Sequence, residues 1–124
     1  MLPAPHRLTS SQDFTAVMRQ GSRAGSSTVV VSVRTLLRPT GPSWRCGFIV
    51  SKAVGNAVVR HRTTRRLRHI VAELMQSPPP TLPPGAGVDI TVRALAEAPE
   101  TGHARLRADV ESCLRRALKK AQRQ

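Results

Sequence analysis

Five arginines, Arg60, Arg62, Arg65, Arg66 and Arg68, crowd the stretch GNAVVRHRTTRRLR (55–68), and no acid stands among them. Like charges at such spacing repel and destabilise a helix, so a cluster of this kind implies an anion that lies against it. A guanidinium offers a planar fork of donors that fits phosphate oxygens in pairs, and it stacks on bases. The chemistry these residues suit is therefore recognition of a phosphate backbone. The one-sign field extends well beyond the cluster. No Asp or Glu occurs between Asp13 and Glu73, while Arg19, Arg23, Arg34, Arg38, Arg45 and Lys52 all fall in that interval.

Over the whole chain of 124 residues, 20 Lys and Arg oppose 7 Asp and Glu, a formal net charge of +13. Such a balance points to a polyanionic partner. The acids concentrate in the last third (Asp89, Glu97, Glu100, Asp109, Glu111), where Arg105, Arg107 and Arg115 are available to pair with them. Bond-making chemistry finds no support. There is no Ser-His-Asp, Cys-His or paired-carboxylate constellation and no Gly-rich phosphate loop, so no catalytic residue is assigned. Glu73 and Asp89 are expected in surface or ion-pair roles. Cys46 and Cys113 are isolated and lack zinc-site spacing, and they read as half-buried free thiols of a cytosolic protein. His61 and His69 lie in the basic region, and ligand roles are not expected for them.

The elements that must position the cluster follow from periodicity. LTSSQDFTAVMRQG (8–21) reads as a short helix capped by Ser10 or Ser11, with Asp13 at the positive end of its dipole. Phe14, Val17 and Met18 follow at i, i+3 and i+4, and Gly21 ends it. TVVVSVRTLL (28–37) and WRCGFIV (44–50) read as strands joined by the turn RPTGPS, and so as an antiparallel hairpin. Asn56 is a good N-cap for the basic helix, whose apolar stripe is Leu67, Ile70, Val71 and Leu74. Arg62, Arg65, Arg66 and His69 fall on the opposite arc, with Arg68 flanking. QSPPPTLPPGAG (76–87) reads as a Pro- and Gly-rich mobile loop. VDITVRA (88–94) alternates as a third main strand, and a closing helix buries Leu106, Val110, Cys113, Leu114 and Leu118. Hydrophobic residues are 40% of the chain and aromatics only 2%, so the core must be aliphatic. These elements predict a single α/β domain over 1–124: a small sheet with helices packed on it.

The stretch VSKAVGNAVVRHRTTRRLR (50–68) resembles the signature of the bacterial ribonuclease P protein component. In that family a strand ends at a Ser-Lys pair, and a Gly-Asn-Ala-Val turn leads into a helix with an Arg-Asn-Arg core. The likeness covers nearly the whole chain. RLTSSQDFTAVMRQG is similar to the family's opening helix and VDITVRALA to its late strand. The resemblance implies an α+β sandwich with a mixed sheet of three to four strands, three helices and a left-handed βαβ crossover. It also implies a function: the protein subunit of a ribonucleoprotein endoribonuclease, whose RNA subunit cuts the 5′ leader from precursor tRNA using RNA-bound Mg²⁺. The implied partners are ribonuclease P RNA and precursor tRNA, in the cytoplasm, with no membrane and no obligate protein partner.

Residue by residue, the resemblance implies that Lys52, Asn56, Arg60, His61, Arg62, Arg65, Arg66 and Arg68 bind the catalytic RNA. Phe14, Met18, Ser32 and Arg34 would then meet the leader. His61 stands where the family usually has Asn, Thr64 replaces a common Lys, and Met18 and Ser32 replace frequent aromatics. Leader stacking is therefore expected to be weaker here, with Arg19, Arg23 and Arg34 shifting the balance toward phosphate contacts. An alternative, a non-catalytic RNA-binding module such as a ribosomal protein, shares the charge and size. A DNA-binding reading lacks the second helix of a helix-turn-helix, and a membrane-surface reading lacks Trp and Phe in the helix's apolar stripe.

Overall fold

The structure, a computed structural model, describes residues 2–76 and 85–123. Helix α1, Ser11–Gln20, begins where Ser10 Oγ accepts from the Asp13 amide at 3.4 Å, and it closes with Gly21 N–H donating to the Val17 carbonyl. Four strands follow the expected β-branched runs, apart from a short one. They are β1 (Ser22–Gly25), β2 (Val29–Leu37), β3 (Trp44–Ile49) and β4 (Ala86–Ala94). Helix α2 is Ala57–Leu74 and α3 is His103–Gln122, with short 3₁₀ turns at Ala4–His6 and Ala98–Glu100. Among the described residues the fold is thus mixed α+β, with three α-helices and one four-stranded sheet.

The strand order is β1-β2-β4-β3, with β4 antiparallel to β2 and parallel to β3. This corrects the expected hairpin: β2 and β3 run in opposite directions but β4 lies between them. The reason lies in burial. Val88, Ile90 and Val92 are buried on one face of β4 and Asp89 and Thr91 on the other, and a strand buried on both faces belongs in the interior of a sheet. The 38–43 connection therefore crosses the start of β4, held by Arg38 N–H to the Gly85 carbonyl (2.8 Å) and Val88 N–H to the Ser43 carbonyl (2.9 Å). Most of the expected 76–87 loop lies outside the described residues. Its last two residues, Ala86 and Gly87, are strand instead, paired with Leu37 and Leu36.

The two sheet faces carry different loads. Val29, Val31, Val33, Val88, Ile90, Val92, Trp44 and Cys46 form one core, aliphatic apart from the Trp44 indole and two thiols, with Leu67, Ile70 and Val71 of α2 and Leu106, Val110, Cys113, Leu114, Ala117 and Leu118 of α3. The stripe expected on α2 is corrected at its ends: Leu74 is only half-buried, while Thr63, one turn before Leu67, is fully buried. Thr63 is accommodated because its hydroxyl donates to the Val59 carbonyl within the helix. Cys46 and Cys113 are free as expected but fully buried rather than half-buried. Burial pushes the Cys46 thiol up, so it stays protonated. No helix among the described residues is long and apolar enough to cross a membrane.

Both sheet edges are occupied. On β3, Leu8 N–H donates to the Cys46 carbonyl at 3.0 Å, and Arg7 bridges Cys46. On β1, Lys120 Nζ donates to the Arg23 carbonyl at 2.8 Å and Arg116 Nη2 to the Gly25 carbonyl at 3.0 Å.

Candidate nucleic-acid interface

Local sequence sets the basic helix in place. Gly55 adopts φ +152°, and a Cβ there would stand 2.9 Å from a Val59 methyl, so the turn needs glycine. Asn56 then caps the helix, its Oδ1 accepting from the Val59 amide at 3.0 Å. Lys52 is exposed on the preceding turn.

The clustered arginines divide by what they touch. Arg60 Nε donates to the Val50 carbonyl at 3.1 Å, tying the start of α2 to the strand before it. Arg66 donates to three carbonyls, those of Ala98 (3.2 Å), Pro99 (3.4 Å) and Thr101 (2.5 Å). That corrects its placement on the open arc. Position 66 flanks buried Leu67, so its side chain reaches sideways and clamps the turn before α3. Arg62 and Arg65 are exposed and Arg68 half-buried, and none of the three has a partner among the described residues. With Arg66, they line a groove of about 780 Å³ that also holds His61, His69 and His103. No acid lines it. Four guanidinium groups in one groove cost electrostatic energy that a bound polyanion would offset.

The second set of residues gathers on the opposite face of the sheet, where α1 packs. Gly47 of β3, Thr91 of β4 and Ser32 of β2 form one row across three strands. The ring of half-buried Phe14 stands over Gly47, and Thr91 Oγ1 donates to Met18 Sδ at 3.4 Å. Phe14, Met18 and Ser32 thus lie together on this face. Ser32 is 2% exposed, so it forms floor beneath α1. Arg34 lies one row along on the same face and lines a separate polar crevice with Gln20, Ser22 and Thr35. In the row on the other side of Thr91, half-buried Ile49 and Val30 flank exposed Arg93. Sequence reasoning missed Arg93. The alternation of VDITVRA, which puts residues 89, 91 and 93 on one face, was the signal that could have found it.

Between Arg34 and Arg45 in the sheet sits Asp89, fully buried. It is an ion-pair residue as expected, but in the interior. Arg38 Nη2 donates to Oδ1 at 2.5 Å, Arg45 Nε to Oδ1 at 2.9 Å and Arg45 Nη2 to Oδ2 at 2.7 Å. Arg45 also pairs with Asp13 of α1 at 3.3 Å. The Asp89 hydrogen bonds raise the Arg45 pKa above its ordinary value. This network pins α1 and the 38–43 connection to the sheet, and it removes Arg38 and Arg45 from any ligand-binding role. Glu73 lies at the surface, shared between His69 (2.6 Å) and Arg107 (3.4 Å). The pairs expected in the last third are also present: Arg105–Asp109, Arg107–Glu111 and Arg115–Glu111.

Comparison with known proteins bears on this arrangement. The family model Ribonuclease P matches residues 2–118. The ribonuclease P protein component of Corynebacterium glutamicum strain R is 47% identical over 123 residues, covering 89% of this chain and 90% of that protein. That of Micrococcus luteus is 46% identical over 125 residues, covering 96% and 92%. Among solved structures, the Staphylococcus aureus RNase P protein has a TM-score of 0.71 at 23% identity, covering 90% of this chain and 94% of that one. The Thermotoga maritima RNase P protein has a TM-score of 0.66 at 23% identity, covering 86% and 92%. At such identities the two structures speak to the fold.

Proposed function

Since this chain belongs to the ribonuclease P protein family, we propose that it is the protein subunit of a ribonucleoprotein that removes the 5′ leader from precursor tRNA in the cytoplasm. The α2 groove docks on the catalytic RNA, with Arg62, Arg65 and Arg68 meeting phosphates. Lys52, Asn56, Arg60 and His61 extend the contact around the start of the helix. Arg66 holds the groove's far wall in place and contributes charge. The leader runs over the outer sheet face, where Phe14 and Met18 offer stacking surface and Arg93 and Arg34 offer phosphate contacts.

The observation that carries this reading is the acid-free groove, in which three guanidinium groups have no partner within the described chain. Catalysis belongs to the RNA. The groove does not fit a divalent cation, because its donors are cationic or neutral nitrogens and hard cations require oxygen ligands. The Mg²⁺ of the reaction is accordingly held by the RNA subunit, and the protein contributes charge neutralisation and substrate grip.

Reconstitution tests it. Added to a bacterial ribonuclease P RNA at low Mg²⁺, the protein should accelerate leader removal from precursor tRNA, while the protein alone should cleave nothing. Failure to stimulate cleavage, together with tighter binding to ribosomal RNA, would refute the assignment.

A further inference from the structure

The α2 groove holds three imidazoles as well as its arginines, and the phosphate-binding reading gives His61 only a contact and His69 and His103 no role. His61 is exposed and has no partner among the described residues, and it lies one helical turn from Arg65. His69 lies one turn further along the same line, which carries these side chains along the groove at intervals of about 6 Å. His103 enters from the first turn of α3, its ring centroid 6.2 Å from that of His69. We infer that His61, His69 and His103 form a proton-coupled phosphate clamp: RNA binding in this groove takes up protons, and affinity rises as pH falls through neutrality. The inference rests on the reading of the groove as an RNA site.

The charges around the imidazoles fix the sign. From α2, Arg62, Arg65, Arg66 and Arg68 line the groove around them. The one acid in contact is Glu73, whose carboxylate accepts from His69 Nε2 at 2.6 Å and is shared with Arg107 of α3 at 3.4 Å. Glu97 and Glu100, before α3, do not line the groove. Phosphates entering the groove reverse the local field and supply acceptors for imidazolium N–H groups. Protonation and RNA binding then favour each other, and the linkage is reciprocal. Histidine is the side chain whose ordinary titration makes such coupling felt near neutral pH.

An imidazole that holds its proton about tenfold more tightly in the complex adds roughly a fourfold rise in affinity between about pH 7.5 and about pH 6. The test measures binding of the full chain to a bacterial ribonuclease P RNA at both pH values and fixed ionic strength. Calorimetry in buffers of different ionisation enthalpy counts the protons taken up. The parent should gain roughly fourfold in affinity if one imidazole couples, up to roughly sixtyfold if all three do, and show net proton uptake. A His61→Gln/His69→Gln/His103→Gln variant should lose most of both. A His61→Arg/His103→Arg variant, whose charge is permanent, should lose most of the pH dependence and bind more tightly at about pH 7.5 than the Gln variant does. Unchanged proton uptake in the Gln variant would overturn the clamp while leaving the RNA site standing, provided Arg62→Ala/Arg65→Ala still weakens binding at both pH values. If neither the arginine nor the histidine variant alters binding, the groove is not the RNA site and both readings fall.

Discussion

The ring of Phe14 occupies the space that a side chain at position 47 would fill: a Cβ on Gly47 would stand 2.1 Å from Cζ of the ring. Glycine at the middle of β3 is therefore what lets α1 lie close to the sheet. Gly47→Ala should displace the ring, cost about 1–3 kcal/mol of stability and weaken binding of precursor tRNA more than that of mature tRNA. Phe14→Ala should cost only about 1–2 kcal/mol, since the ring is half-buried, and should lose leader affinity in the same selective way. The double variant should be no less stable than Phe14→Ala, because alanine fits once the ring is gone. Additive losses in urea melts would show that the two residues do not compete for this space.

The two kinds of arginine on α2 separate in a salt titration. Each phosphate contact adds roughly 0.7–0.9 to the log–log slope of affinity against salt. Arg62→Ala/Arg65→Ala should flatten that slope by about 1–2 and leave the melting temperature near that of the parent. Arg66→Ala should instead cost about 1–3 kcal/mol of stability through its lost carbonyl bonds. An unchanged slope in the double variant would mean that those charges are merely solvated.

Asp89 carries a larger structural share than its single charge suggests. Asp89→Asn leaves Arg38 and Arg45 facing each other across the sheet with only Asp13 nearby, and breaking such a buried arrangement costs about 3 kcal/mol. Circular dichroism melts should show that loss, and the salt slope of RNA binding should stay as in the parent. A destabilisation well under about 1 kcal/mol would show that the network is dispensable.

The Cys46 thiol gives an alkaline signature. Its folded-state pKa is raised above the ordinary value of 9.0, so the folded protein keeps a proton that the unfolded chain releases. Stability is therefore fully present below about pH 9 and declines above it, by up to about 1.4 kcal/mol per pH unit. Urea unfolding at rising pH should show this slope, and Cys46→Ala should lose it. A thiol reagent should label neither cysteine until the protein unfolds.

Much of this was legible from local pattern. The apolar spacing around Leu67, Ile70 and Val71 oriented α2 and put Arg62 and Arg65 on its outer face, because helical period alone decides such an arrangement. Phe14 and Met18 came together for the same reason. What escaped was non-local. Adjacent runs such as 28–37 and 44–50 suggest a hairpin, and nothing within them records that β4, nearly 40 residues on, will pair with both. The burial of Asp89 follows from that insertion and so was equally hidden. Arg66 differs from Arg65 only by one step around the helix. Its engagement depends on where the turn before α3 comes to rest, which a charge pattern does not encode.

The occupied sheet edges bear on how this protein behaves at high concentration. Open edge strands template strand addition between molecules. Here Arg7 and Leu8 cover one rim, and Arg116 and Lys120 fasten carbonyls of the other. Two of the cations of a +13 chain thus block self-assembly through the backbone, while the rest repel other copies. Mutual attraction between copies is then left to a shared polyanion, so turbidity in mixtures should follow the ratio of RNA to protein rather than protein concentration alone. Removing the tethers with Arg116→Ala/Lys120→Ala should introduce slow, RNA-independent association that the parent lacks.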